Sequence, residues 1–311
     1  MKFEFEGKMY YIDGLLAQNL DSIIYNIKND WDFVIVITGD RTVRVGKSVL
    51  GFTVGAYLSA HMAKVGIKRP FTAKQIFFDS KVMVEYGLKA KPHSILQYDE
   101  GREGLASNKF AKEFQQDLLD FFAECGQLNH IFIIVLPDFF ELSESIAVPR
   151  SEILLNVYRK PETGMINLYG DGARAVVKFK RGQFEFFNRS KKQRLYERAK
   201  VLKRKNYGLI KANFVGRFTN QWPIDEDEYL KAKRDSLSRF QDRQAKNKEQ
   251  RAQRKQMTVK QQKLLYSLIE SADNKEVRRL CEHAGMNPNY GTTILRDWGT
   301  RLGLAQKGAG D

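Results

Sequence analysis

Three adjacent residues in this chain have the chemistry to hold a triphosphate. Gly46-Lys47-Ser48 lies a few residues beyond an apolar run, Phe33-Val-Ile-Val-Ile-Thr-Gly39. A buried strand leading through a Gly-Lys-Ser turn into a helix is the pattern of a phosphate-binding loop. Backbone N–H groups at the helix N-terminus face the anion, the lysine ammonium meets the β- and γ-phosphates, and the serine hydroxyl ligates Mg²⁺. Nucleotide contacts are expected from Gly39, Arg44, Gly46, Lys47, Ser48 and Val49. Six residues separate Gly39 from Gly46, where the usual pattern has four, so Arg41 stands in the first-glycine slot. The loop is therefore widened by two residues or re-routed. Two alternatives stand beside it: a loop that binds nucleotide without hydrolysing it, and a chance Gly-Lys-Ser in a strand-turn-helix.

A second group able to do chemistry closes the strand Ser94-Ile-Leu-Gln-Tyr-Asp99-Glu100. Asp99 can hold the Mg²⁺ shell, and Glu100 can orient or deprotonate the attacking water. The alternative is that the two acids only form a turn. A glutamate beside the Mg²⁺ aspartate, with a strand between it and the phosphate-loop strand, characterises motor-type ATPases. No Asn/Thr-Lys-x-Asp guanine-reading motif is present in the expected place, so ATP and Mg²⁺ are the expected cofactors. The next strand ends Val135-Leu136-Pro137-Asp138, putting Asp138 where a polar γ-phosphate sensor belongs. Arg150 immediately precedes a fifth strand, taken as the edge of the sheet. It is read either as a cation reaching a neighbouring subunit's γ-phosphate or as a local partner of Glu144 or Glu152.

The elements that must position these groups follow from periodicity. Apolar residues at helical spacing predict helices over Leu15 to Trp31, Lys47 to Val65 and Lys109 to Glu124. Short apolar runs predict strands at Gln75 to Asp79, Ser94 to Glu100, His130 to Leu136 and Ile153 to Tyr158. Strands of this kind alternating with helices predict an α/β fold around a parallel sheet buried on both faces. Beyond Tyr158, alternation punctuated by Gly170, Gly172 and Gly182 predicts an antiparallel β appendage with strands at 165–169, 175–180 and 183–187. A charged helix from Glu226 to about Gln256 reads as an exposed linker.

From Thr258 the chain reads as a small all-α unit. A helix over Lys275 to His283, a turn at Gly285 with Asn287-Pro288-Asn289, and a helix over Tyr290 to Leu302 have the layout of a helix-turn-helix. Asn289, Tyr290, Gly291, Thr292, Thr293 and Arg296 are then the residues placed to face DNA. The alternative is a three-helix protein-contact module.

A net charge of +15 is concentrated between Lys178 and Lys211 and between Lys231 and Lys263, which favours a polyanionic partner, nucleic acid ahead of acidic membrane. No apolar stretch is long enough to span a bilayer, and Met1-Lys-Phe-Glu-Phe-Glu lacks a signal-peptide core. A soluble, intracellular, cytoplasmic protein is expected. Cys125 and Cys281 are far apart, and His61, His93, His130 and His283 form no ligand spacing. Free thiols, no structural zinc, and a structural Cys281–His283 pair are expected.

Together the residues carry a resemblance. Trp31-Asp-Phe-Val-Ile-Val-Ile-Thr-Gly, Val-Arg-Val-Gly-Lys-Ser, Gln75-Ile-Phe-Phe-Asp, Tyr98-Asp-Glu, Leu136-Pro-Asp-Phe-Phe-Glu-Leu and Ala147-Val-Pro-Arg resemble P-loop ATPases of viruses, plasmids and integrated elements within the FtsK/HerA-like DNA-translocase grouping. The likeness spans about Leu15 to Tyr196. It implies a RecA-like core, usually a hexameric ring moving double-stranded DNA. It assigns Lys47 and Ser48 to phosphate and Mg²⁺, Asp99 to Mg²⁺, Glu100 to water activation and Arg150 to a trans finger. The lengthened loop and Gly101 after the acidic pair depart from the pattern. The expected organisation is an ATPase domain with β appendage over 1–224, a linker helix over 225–256 and a helix-turn-helix domain over 257–311. The expected function is that of an ATP-dependent DNA motor or DNA-remodelling ATPase of a mobile element, acting as a homo-oligomer. A DnaA-type replication initiator or loader and a poorly hydrolysing, nucleotide-sensing DNA-binding regulator are the alternatives.

Overall fold

The computed structural model describes residues 1–27, 29, 31–39, 45–99, 116–122, 126–161, 179–236, 238, 239, 242, 249–252, 273–283 and 287–301. Expectations for Arg41, Arg44, Glu100, Gly101, Cys125, residues 165–169 and 175–178, Thr258 and Gly285 fall outside them.

The chain opens with a hairpin, β1 (Lys2–Phe5) and β2 (Lys8–Tyr11), forming its own two-stranded antiparallel sheet. Glu6 and Gly7 both have positive φ, 48° and 74°, as a two-residue type I′ turn requires. The alternation of charge and aromatics in Met1 to Glu6 is this hairpin's inward and outward faces. Asp13 then caps α1 (Gly14–Ile27), accepting from the Leu15 and Leu16 N–H groups at 3.0 and 3.3 Å.

Next come β3 (Phe33–Gly39), α2 (Lys47–Lys64), the short β4 (Ile76–Phe77), α3 (Ser80–Lys89), β5 (Ile95–Asp99), the helical residues 116–122 (α4) and β6 (Ile131–Val135). They lead through the short α5 (Glu144–Ala147) to β7 (Ser151–Pro161), β8 (Phe179–Phe187), α6 (Arg189–Leu202), β9 (Phe214–Arg217) and helical residues 226–236 (α7). Every residue of β3, β5 and β6 is buried, which explains why their sequences read as continuous apolar runs. Odd positions Phe33, Ile35 and Ile37 pack with α1 and α2; even positions Val34 and Val36 pack with α4 and α6.

The central sheet has seven strands in the order β4-β5-β6-β3-β7-β8-β9. The first five pair in parallel, and β8 and β9 join antiparallel. The antiparallel strands therefore extend the main sheet instead of forming a separate appendage. Gly182 lies inside β8, where a break between two strands was expected. At φ 78° it sits in a bulge between the Tyr158–Gln183 and Lys160–Lys180 pairs, and a Cβ there would collide with the Phe218 carbonyl oxygen. β7 is interior, paired with the phosphate-loop strand β3 on one side and with β8 on the other, so Arg150 does not introduce an edge strand.

The first compact unit runs from Met1 to Ser238 and the second from Arg239 to Asp311. The division falls beyond residue 224 because α7 opens as core. Ile224 and Tyr229 are buried with Phe52, Phe78 and Trp222, so this turn is not exposed linker.

In the second unit, α8 (Asn274–His283) is capped by Asp273, and α9 (Pro288–Arg301) begins where Asn287 accepts from the Asn289 N–H at 2.9 Å. Proline thus occupies the first turn of α9, which its fixed φ favours. Val277, Cys281 and Ile294 are buried in this unit, whereas His283 is exposed and makes no structural pair with Cys281. Among the described residues no helix is long and apolar enough to cross a membrane.

Candidate nucleotide and metal site

Strand β3 delivers Gly39 at its carboxyl end, against Val157 of β7, where a Cβ would collide with the Val157 carbonyl oxygen. Chain direction is re-set at Gly46, whose φ of 95° favours glycine, and a Cβ there would press on the Phe218 ring at 3.0 Å. Helix α2 starts at Lys47 with no side-chain cap hydrogen bond from Gly46, and the positive end of its dipole favours an anion there. Leu50, Phe52, Val54 and Leu58 anchor α2 in the core and fix the start of the helix relative to the sheet.

Residues 51 positions apart in sequence meet here. The Ser48 hydroxyl donates to Asp99 Oδ1 at 3.1 Å. Asp99 lies at the carboxyl end of β5, two strands from β3, with β6 between them. Only 2% of Asp99 is exposed. Burial pushes its carboxyl above the usual range; the charge of Lys233, hydrogen bonds from Tyr229 and Ser48, and the charge of Lys47 pull the other way.

Mg²⁺ prefers a few oxygen ligands with retained waters and phosphate oxygens over an all-protein cage. A hydroxyl and a carboxylate converging at 3.1 Å beside a helix N-terminus fit that demand. Ser48 and Asp99 are the residues that could hold the ion, and Lys47 at the head of α2 is the lysine for the phosphates.

The other carboxylate oxygen is also engaged. The Tyr229 hydroxyl donates to Asp99 Oδ2 at 2.7 Å, and the Lys233 ammonium donates to the Tyr229 hydroxyl at 3.0 Å. Burial and the neighbouring carboxylate push the Tyr229 phenol well above its ordinary range. Its ring sits among Phe52, Trp222 and Phe78, with centroids 5.0, 5.4 and 5.5 Å away. Sequence reasoning missed Tyr229 and Lys233, which lie 130 or more positions beyond Asp99. The available signal was an aromatic cluster, Trp222-Pro-Ile224 with Tyr229, at the head of an otherwise charged helix.

Neither the protein-family models nor the curated proteins contain a match to this chain.

Asp138 closes the end of β6 as expected, but local bonds engage it. It caps the turn Phe139–Glu141, accepting from the Phe140 N–H at 3.0 Å, and accepts from the Tyr207 hydroxyl at 3.2 Å. With Gly39, Asn156, Glu185 and Tyr207 it lines a polar cavity of about 420 Å³ at the carboxyl ends of β3, β6 and β7.

Arg150 is not brought to this end. Ser151 pairs with Val34 near the start of β3, five residues before Gly39, or about 16 Å at strand rise. Glu144 and Glu152, its alternative local partners, pair instead with Lys200 at 2.6 Å and Arg189 at 2.8 Å.

In the second unit Asn289, Tyr290, Thr293 and Arg296 are exposed on α9 and Thr292 is half-buried. Both threonine hydroxyls donate to the Asn289 carbonyl at 2.9 Å. Gly291 is buried, so it cannot face a base.

Proposed function

We propose that the first unit binds ATP with Mg²⁺ and hydrolyses it, and that the protein uses this cycle on double-stranded DNA as a motor or remodelling ATPase. The observation that carries this reading is the Ser48–Asp99 hydrogen bond in a sheet where β6 separates the two strands. That order sets the Asp99 carboxylate opposite the head of α2, and Glu100 follows Asp99 directly in the sequence. The mostly parallel α/β sheet is compatible with a RecA-like core.

In this account Lys47 and the first-turn N–H groups of α2 bind and orient the phosphates. Ser48 and Asp99 hold Mg²⁺, which when bound neutralises charge on the β- and γ-phosphates. Glu100 takes or orients the proton of the attacking water. Burial of the site raises the strength of each of these interactions.

For the DNA partner, α6 and the turn after it present Arg194, Arg198, Lys203, Arg204 and Lys205 to solvent, a charge pattern suited to a phosphate backbone. Asn289, Tyr290, Thr293 and Arg296 on α9 are the second proposed contact. Assembly into a homo-oligomer, a hexamer in the fullest form, would supply the stimulating cation from a neighbour. The position of Arg150 at the amino end of the sheet makes it a poor source for that cation unless the neighbour docks by that end.

Steady-state ATP hydrolysis with and without duplex DNA tests this reading. Lys47→Ala and Glu100→Gln are expected to abolish turnover, Glu100→Gln while retaining bound ATP. Hydrolysis that survives Lys47→Ala overturns it.

A further inference from the structure

The residues that hold Asp99 from the side opposite Ser48 have no part in the chemistry above, yet they are closely held in place. Tyr229 is 3% exposed and bonded to the very carboxylate assigned to Mg²⁺. Lys233, one helical turn on, adds an ammonium to the same chain of hydrogen bonds, 5.7 Å from the Phe78 centroid and 5.4 Å from the Tyr229 centroid. A turn of helix set in this way presents to Asp99 a hydroxyl donor backed by a positive charge. A hydrated divalent cation presents the same two things, a water proton and a charge.

We propose that α7 is a latch on the metal site: the Tyr229 hydroxyl and Lys233 ammonium compete with Mg²⁺ for Asp99, so that binding of the Mg²⁺-nucleotide releases the first turns of α7. The inference rests on the nucleotide reading given above and adds regulation to the same site.

Competition follows from charge and from sharing one small carboxylate. Oδ1 accepts from Ser48 and Oδ2 from Tyr229; each oxygen keeps a second lone pair, so a metal-bound water at Asp99 Oδ2 would share that atom with the phenol and weaken its hold. A second cation beside Lys233 and Lys47 would also add like-charge repulsion at a buried carboxylate. Helix α7 can respond because its grip is narrow. Beyond Ile224, Tyr229 is its one fully buried side chain among the described residues, whereas Glu226, Asp227, Glu228, Leu230 and Lys231 are exposed. It also lies near the end of the first unit, which closes at Ser238.

The test uses the full-length protein and a non-hydrolysable ATP analogue, with Mg²⁺ or with EDTA, in wild type, Tyr229→Phe and Lys233→Met. Two readouts are taken: equilibrium affinity and amide hydrogen exchange across residues 226–236. Tyr229→Phe keeps the ring in its aromatic setting and removes only the hydroxyl. The latch predicts that Tyr229→Phe and Lys233→Met bind the Mg²⁺-analogue about tenfold more tightly than wild type, the size expected for one hydrogen bond to a charged group. It also predicts no change in EDTA, and exchange in 226–236 that rises on Mg²⁺-analogue binding in wild type. Unchanged or weakened Mg²⁺-analogue affinity in the variants, or exchange in 226–236 that stays constant or falls on binding, overturns the latch while leaving the nucleotide site standing. Absence of Lys47-dependent binding in wild type and both variants overturns the nucleotide reading and the latch with it.

Discussion

Two lysine-centred clusters, one fully buried and one half-buried, sit at opposite ends of the same sheet, and they are built to different ends. At the amino end, Lys192 of α6 is fully buried, and its ammonium donates to the carbonyls of Ala147 at 2.7 Å, Val148 at 3.0 Å and Ser151, and to the Ser151 hydroxyl at 2.7 Å. Burial pushes this ammonium down to about 7, and the ring of acceptors offsets part of what the protonated form loses on leaving water. At the carboxyl end, Lys233 donates through Tyr229 to a carboxylate that other ligands can claim. The first cluster ties α5, the start of β7 and α6 together through backbone carbonyls and the Ser151 hydroxyl, which itself donates to the Ala147 carbonyl at 2.8 Å. The second is held by side chains that can be exchanged. Buried charge that is closed by backbone fixes structure, and buried charge that is closed by titratable or ligating side chains is available for function.

The largest effect that would break this contrast is on stability at the amino end. Lys192→Met should lower unfolding free energy in urea by about 3 kcal/mol, because several buried carbonyls lose their donor at once. ATP affinity of the folded protein should be unaffected. A loss below about 0.5 kcal/mol would mean that the cluster is not structural. The next largest is at the carboxyl end and reads on binding: Lys47→Ala should weaken ATP by about a hundredfold or more, some 2.7 kcal/mol, with unfolding free energy changed by less than about 0.5 kcal/mol. Gly46→Ala should destabilise by about 1–2 kcal/mol through its left-handed backbone and the Phe218 contact, and should weaken nucleotide binding as well.

The smallest effect has the opposite sign. The raised carboxyl of Asp99 means that the folded state holds its proton more tightly than the unfolded chain does. Its contribution to stability is therefore greatest below the unfolded carboxylate range and falls as pH rises through the folded value. Asp99→Asn should match wild type in melting temperature at low pH and exceed it near neutrality by the equivalent of about 1 kcal/mol. A variant less stable than wild type at neutral pH would show that the Ser48, Tyr229 and lysine contacts outweigh burial.

Much of the frame was legible in the residues because the parallel strands are buried on both faces. Phe33 to Gly39, Ser94 to Asp99 and His130 to Leu136 could read only as interior strands, and Gly-Lys-Ser after the first of them placed the helix start correctly. What escaped depended on long-range partners. Nothing local to Tyr229 says that its hydroxyl meets Asp99, and the charged residues around it give α7 the pattern of a solvated helix. The strand after Arg150 reads as an edge for a similar reason: which strand lies at an edge is set by β8 and β9 joining the sheet, and pairing order is not written in a strand's own sequence. Gly182 looked like a terminator of strands because a bulge and a turn ask the same backbone freedom of glycine.

Equilibrium binding of a non-hydrolysable ATP analogue in Mg²⁺ and in EDTA shows whether Ser48 and Asp99 form a metal-dependent nucleotide site. Wild type should bind at least tenfold more tightly in Mg²⁺ than in EDTA, and Asp99→Asn should retain the EDTA affinity while losing most of the Mg²⁺ gain. An Asp99→Asn protein that keeps the full Mg²⁺ gain, or a wild type indifferent to the ion, would contradict it.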